Sequence, residues 1–138
     1  MIYTDSIQVS ATGFGHTLDI TKDVIKAVEN STITDGLATI FCPGSTGTIT
    51  TIEYEPGVIK DLKKVLEKIA PSNKDYEHNQ RWSDGNGFSH VRAALMKPSL
   101  SVPIVEGRLT LGTWQQIVFI DFDNKERQRN LIVQIIGD

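Results

Sequence analysis

One stretch of this chain has a single reading as a folded element. Between Pro56 and Pro71, the residues Val58, Ile59, Leu62, Val65, Leu66 and Ile69 recur at helical spacing and form one apolar face. Lys60, Asp61, Lys63, Lys64, Glu67 and Lys68 are left for water. Pro56 suits the first turn of such a helix, and Pro71 ends it. A helix with one apolar face needs a second layer to bury it. The flanking segments supply β-structure for that layer. Ser6 to Ser10 alternates polar with apolar, and Thr17 to Ile20 continues as a second strand. Ala38 to Pro43 reads as a buried strand, and Thr48 to Tyr54 is rich in β-branched residues. The C-terminal third adds Val102 to Val105, Leu109 to Leu111, Trp114 to Phe122 and Leu131 to Ile136, with Asp123 to Glu126 as a hairpin connection. A second helix runs from Asp23 to Glu29, capped by Thr21, and a third occupies Val91 to Met96. Long β segments with a few amphipathic helices predict an α+β fold. No linker, repeat or low-complexity tract divides residues 1–138, so one domain is expected.

Charge and composition narrow the function. The net charge is −3 with acids and bases interspersed, which argues against the basic stripe of a nucleic-acid binder. No apolar run approaches the roughly 20 residues that span a bilayer, so no membrane partner is expected. The first residues lack the basic and apolar regions of a signal peptide. The single cysteine, Cys42, lies in a buried-strand pattern and reads as a small core residue. A reducing cytoplasm is the expected compartment.

The chemistry concentrates in the polar stretch His78 to His90, which holds two of the three histidines, Asp84, Asn86 and two glycines. Asn86-Gly87 is a turn dipeptide. Ser89 is expected to cap the helix that follows, with His90 at its first position and Arg92 within its first turn. Free backbone N–H groups there attract anions, and Arg92 would add a charge-assisted contact to phosphate. A helix N-terminus also disfavours imidazolium, keeping His90 neutral as a base or metal ligand must be. His78, brought back by the loop, would join it, with Asp84 orienting a ring or binding the same ion. As a metal motif the spacing is weak, because two histidines twelve apart match no common zinc pattern. A second block, Pro43 to Thr48 followed by Glu53-Tyr54-Glu55, offers hydroxyls such as Thr46 for an oxyanion and two carboxylates on one strand face. It lacks the Gly-Lys-Ser/Thr ending of a phosphate-binding P-loop. In a third block, Leu111 to Ile117, Trp114 reads as a core residue and Gln115 beside it is expected to face a pocket. Asp121, Asp123, Arg127 and Arg129 read as ion pairs across a hairpin or a subunit contact, and His16 as structural.

Together these blocks resemble the YjbQ-like family of small proteins, also called secondary thiamine-phosphate synthase-like. The likeness runs through Pro43-Gly44-Ser45-Thr46, Ile52-Glu53-Tyr54-Glu55-Pro56, Tyr76-Glu77-His78, Asp84-Gly85-Asn86-Gly87, His90 and Leu109 to Gln116, and on through Asp121-Phe122-Asp123 with Arg127. It covers roughly residues 5 to 137. The resemblance implies a compact α+β domain with a mixed, mostly antiparallel sheet, a homotrimer, and a site at the polar blocks near a subunit boundary. It also implies weak thiamine-phosphate synthase activity, a transfer that joins a pyrimidine diphosphate to a thiazole phosphate and releases pyrophosphate. A small phosphorylated metabolite is then the expected partner, and a divalent metal ion of unspecified identity the expected cofactor. His90, His78 and Glu53 become candidate catalytic groups, and His78 and His90 candidate metal ligands. Thr46, Asp84, Asn86, Arg92 and Gln115 become candidate substrate contacts. The chain departs from the family at Gly44, where many relatives carry histidine, and at Phe88, where many carry a polar residue. Those departures keep a second reading open, a non-catalytic protein that binds a small anion or a metal ion.

Overall fold

A computed structural model describes all of residues 1–138. The order along the chain is β1 (Ile2–Ala11), β2 (His16–Asp19), α1 (Thr21–Ser31), β3 (Gly36–Phe41), β4 (Gly47–Ile52) and α2 (Pro56–Ile69). There follow α3 (Glu77–Trp82), α4 (Gly87–Met96), β5 (Ser99–Val105), β6 (Arg108–Leu109), β7 (Gln116–Asp121) and β8 (Arg127–Gly137). The strands form two sheets, β1-β8-β3-β5-β6 and β2-β7-β4. The α+β class is as the sequence predicts. The β-structure is divided, however, and every pairing in both sheets is antiparallel, where one mixed, mostly antiparallel sheet was expected.

Strand β7 explains the layering. All of Ile117 to Asp121 is buried, which alternation on a one-sided sheet would forbid. Its odd-numbered apolar residues, Ile117 and Phe119, enter the larger core, shared with Ile40 and Ala38 of β3, Leu131, Val133 and Ile135 of β8, and Val24 and Val28 of α1. Val118, Ile120 and the following Phe122 enter a smaller core with Leu66 of α2 and Ala93 of α4. The three-stranded sheet is thus a middle layer, with the five-stranded sheet and α1 on one side and α2 and α4 on the other.

Local signals account for the helices with two corrections. In α2 the Glu55 side chain accepts hydrogen bonds from the Gly57 and Val58 N–H groups, and Pro56 opens the first turn. In α1 the Thr21 side chain makes no cap. Asp19 instead accepts from the Thr21 N–H and hydroxyl. Helix α4 starts at Gly87, so Ser89 lies inside the first turn and its hydroxyl donates to the Asn86 carbonyl at 2.5 Å. No helix is long and apolar enough to cross a membrane.

Phe119 is fully buried at the junction of the sheets. Phe119→Ala is expected to cost about 3–5 kcal/mol. In urea unfolding this would appear as a lower midpoint at unchanged slope.

Candidate functional site

At one end of β4 three segments distant in sequence meet: the Pro43–Gly47 connection, the α3–α4 region and the β7–β8 turn. A buried ion network holds them. Arg129 of β8 donates from Nε and Nη2 to the two carboxylate oxygens of Asp121 on β7, at 2.9 Å each. Arg129 is 8% exposed and Asp121 fully buried. Arg129 Nη2 also donates to the Thr46 hydroxyl at 2.6 Å, and that hydroxyl donates to Asp123 Oδ2 at 3.3 Å. Asp123 further accepts from Arg127 Nη1 at 2.9 Å, from Asn86 Nδ2 at 3.2 Å and from the Asn124 N–H at 2.8 Å. Burial alone would raise the Asp123 carboxyl. The bonds from Asn86, Asn124 and Thr46, with the charge of Arg127, outweigh it and hold the group below the usual carboxylate range. For Arg129 burial works against the charge, and Asp121 more than restores it.

Two imidazoles stand on this platform. His78 of α3 and His90 of α4 have ring centroids 4.4 Å apart, tilted by 36°. Gly87 allows the approach of α3, since a Cβ there would lie 2.6 Å from Tyr76 Cβ. The Gly87 N–H instead binds Asn79 Oδ1 at 2.9 Å. His78 Nδ1 lies 3.3 Å from Asp84 Oδ1, but off the line a hydrogen bond needs. Asp84 is fixed through its carbonyl, which accepts from Asn124 Nδ2. Burial, and then the neighbouring His78, lower the His90 pKa against the pull of Asp123 and Asp84. Its neutrality therefore comes from the pocket. It stands one turn inside α4 rather than at the helix start. The Asn86 side chain, 9% exposed, gives its amide N–H to Asp123 and leaves Oδ1 buried without a partner. Beside His90 a cleft of about 170 Å³ is lined by Gly44, Ser45, Gly47, Ala93, Ala94 and Pro98. That volume suits one end of a metabolite, since whole-ligand pockets run to roughly 300–1,000 Å³.

The structure thus brings His78, His90, Asp84, Asn86 and Thr46 to one locality, and it separates three other candidates. Arg92 points away. Its guanidinium donates to Glu67 Oε2 at 2.7 Å and twice to the Ala70 carbonyl, and it lies over the Phe88 ring. It closes the C-terminal end of α2 and is not free for phosphate. Phe88 is buried beneath it, so this departure from the family pattern is a packing residue. Glu53 lies beyond the far end of β4. Five residue steps along the strand carry the chain from Gly47 to Ile52, about 17 Å. There Glu53 borders a different cleft with Asp19, Tyr54 and Trp114. Gln115 locks its own loop, accepting from the Gly112 N–H and donating to the Thr51 hydroxyl. The indole of Trp114 is exposed, against the expectation of a core residue. Thr46 is present, but its hydroxyl is spent within the ion network. Three members of the locality are absent from the candidates drawn from sequence. Ser45 carried only a general hydroxyl signal, and Asp123 and Arg129 read as ordinary pairing. Cys42 is buried, with burial pushing its thiol up, as expected of a core residue. His16 pairs in register with Asp121 and accepts from the Thr12 N–H, a structural role.

The expected divalent metal meets a plain geometric test. Nowhere in the chain do three or more His, Cys, Asp or Glu side chains stand together as a metal would require. Protein zinc sites take three or four such ligands. Within one chain the imidazole pair lacks the further ligands that a metal centre takes.

Comparison with known proteins agrees across the whole chain. The family model described as UPF0047 protein YjbQ-like matches residues 5–138. A UPF0047 protein of Archaeoglobus fulgidus is 37% identical over 119 residues, covering 86% of this chain and 90% of that one. The UPF0047 protein YugU of Bacillus subtilis is 34% identical over 134 residues, covering 96% and 98%. The crystal structure of a YbjQ-like protein of unknown function from Sulfolobus solfataricus superposes with a TM-score of 0.95 at 31% identity, covering 100% and 99%. A structure of a family member from Clostridium acetobutylicum gives 0.87 at 38% identity, covering 96% and 99%.

The lowered His90 pKa has a consequence for stability. The unfolded chain titrates this ring near 6.5, so below that pH the unfolded state binds more protons than the folded one, and the unfolding free energy falls. The urea midpoint is expected to drop between pH 7.5 and pH 5.5, and to drop less in His90→Gln. An equal drop in both proteins would assign it to other groups.

Proposed function

The chain belongs to the UPF0047 YjbQ-like family, and from its imidazole pair we propose that it is a proton-transfer enzyme acting on a small phosphorylated metabolite. The observation that carries this is the 4.4 Å pairing of His78 with His90. One ring is kept neutral beside a cleft with a free hydroxyl and glycine backbone, and the other stands against a carboxylate. In this reading His90 accepts or returns a proton, and Asp84 steadies His78 as its partner. Asn86 holds Asp123 through its amide, and Ser45 and the Gly44–Gly47 backbone receive the phosphate. The reaction to assay first is the thiamine-phosphate synthase-like transfer that the family resemblance suggests. A lone buried thiol fits a reducing cytoplasm as its compartment.

One observation favours the binding-only alternative. Gly44, which the family resemblance sets where many relatives carry histidine, brings no titratable group, and a Cβ there would lie 3.2 Å from Arg129 Nη1. A thermal-shift screen with phosphorylated metabolites separates the two readings, since a ligand that stabilises without turnover supports binding alone.

The proposed homotrimer has a surface suited to it. The outward residues of β1, β8, β3 and β5 include Ile2, Leu37, Phe41, Val105, Ile132 and Ile136, all exposed. Their outward neighbours are Thr, Ser, Gln, Asn and Pro, with no charged residue, in a chain that is 22% charged. Interface centres are depleted in charge in the same way. The face ends beside Pro43 and Arg127, at the edge of the candidate site.

His90→Ala is expected to lower thiamine-phosphate formation by roughly 10²–10⁴-fold. Unchanged turnover in a folded protein would remove His90 from catalysis. Ile132→Asp is expected to convert the assembly to monomers in size-exclusion chromatography with light scattering. An intact trimer would show that another surface builds it.

A further inference from the structure

If the cleft beside His90 receives an oxyanion, as the reading above holds, something must supply positive charge. The nearby guanidiniums are already committed. Arg129 is bidentate to Asp121, Arg127 is paired with Asp123, and Arg92 is turned away to Glu67. The charged groups that act on His90 directly are Asp123 and Asp84, and Asp123 is linked in turn to Arg127, Arg129 and Asp121. Asp84 lies on the α3–α4 connection, Asp121 and Asp123 on and just after β7, and Arg127 and Arg129 on β8. The Pro43–Gly47 segment contributes no titratable group, only the Ser45 and Thr46 hydroxyls. Three carboxylates against two guanidiniums leave this locality one negative charge in excess while both imidazoles are neutral. An entering anion then meets charge of its own sign in a partly dry site. One proton on the pair cancels the excess. A second would set two imidazolium rings 4.4 Å apart, which like-charge repulsion opposes.

We infer that an oxyanion binds at the His78–His90 pair together with one proton, so that its affinity rises as the pH falls. The imidazole pair, and not an arginine, is the cation of the site. The shared proton stays beside the bound anion, where a departing phosphate or pyrophosphate can take it.

Calorimetric titration of the full chain with sulfate tests this, because sulfate keeps its double charge throughout the range used. The dissociation constant is measured from about pH 5.5 to 8.5, each point in two buffers of different ionisation enthalpy. Close to one proton taken up per sulfate is expected on the alkaline side, with affinity weakening there toward tenfold per pH unit. In the double variant His78→Gln/His90→Gln, checked for cooperative unfolding, binding is expected to be weak and flat with pH. His78→Gln alone, on a helix with no buried residue, carries the same comparison if the double variant does not fold. Sulfate binding with the same affinity at every pH and no proton uptake would overturn the inference and leave the oxyanion site standing. Absence of binding at every pH would overturn both. A pH dependence that survives in the variants would assign the proton to another group and overturn the inference.

Discussion

The bidentate pairing of Arg129 with Asp121 sets the geometry of everything around it. One partner belongs to the five-stranded sheet and the other to the middle sheet, so the pair ties the two layers together beside their apolar contact. Neither charge has water to fall back on. Removing one partner of such a pair leaves the other stranded, at about 3–5 kcal/mol. From here the bonds fan outward. Arg129 fixes Thr46, Thr46 fixes Asp123, and Asp123 fixes Asn86 at the start of α4, while Asn124 fixes Asp84. The placement of both histidines descends from this buried pair, although neither touches it.

What the sequence revealed, and what it hid, follows the strength of local signals. The α2 stripe, the β-branched run of β4 and the long apolar segments of β7 and β8 each state their structure within a few residues, and all are present. Helix α3 is hidden because Glu77 to Trp82 buries no side chain and shows no apolar period. The start of α4 was misplaced because Ser89 resembles a cap, while its hydroxyl is used at the third residue of the helix. Division into two sheets has no local mark either. It depends on β7 being buried on both faces, and a continuous apolar run reads the same in one sheet or between two.

The site was legible in part for the same reason. The cluster of His78, Asp84, Asn86 and His90 is contiguous in sequence and remains so in space. Glu53 looked close to Thr46 because seven positions separate them, yet a strand between them carries it to the far end of the sheet. Arg92 looked free because its partners, Glu67 and the Ala70 carbonyl, lie on another helix. Conversely, Asp123 and Arg129 looked like ordinary hairpin charges, and only the meeting of two sheets shows that they carry the floor of the site. The result is a locality whose arginines are structural and whose titratable rings are left for chemistry.

The pairing of β1 with β8 has a bearing on how the protein is made. Ile2 stands opposite Ile136 and Ala11 opposite Arg127, so β1 leaves the ribosome long before the strand that completes it. At roughly 5–20 residues per second, the nascent β1 waits on the order of ten seconds without its neighbour. Its free backbone edge is open to other chains throughout that time. The walls of the candidate site, drawn from residues near 45, 84 and 123, are likewise assembled only after the β7–β8 turn has been made. Fold and site therefore arise together, late, and as one event, and a chain halted before β8 would carry neither.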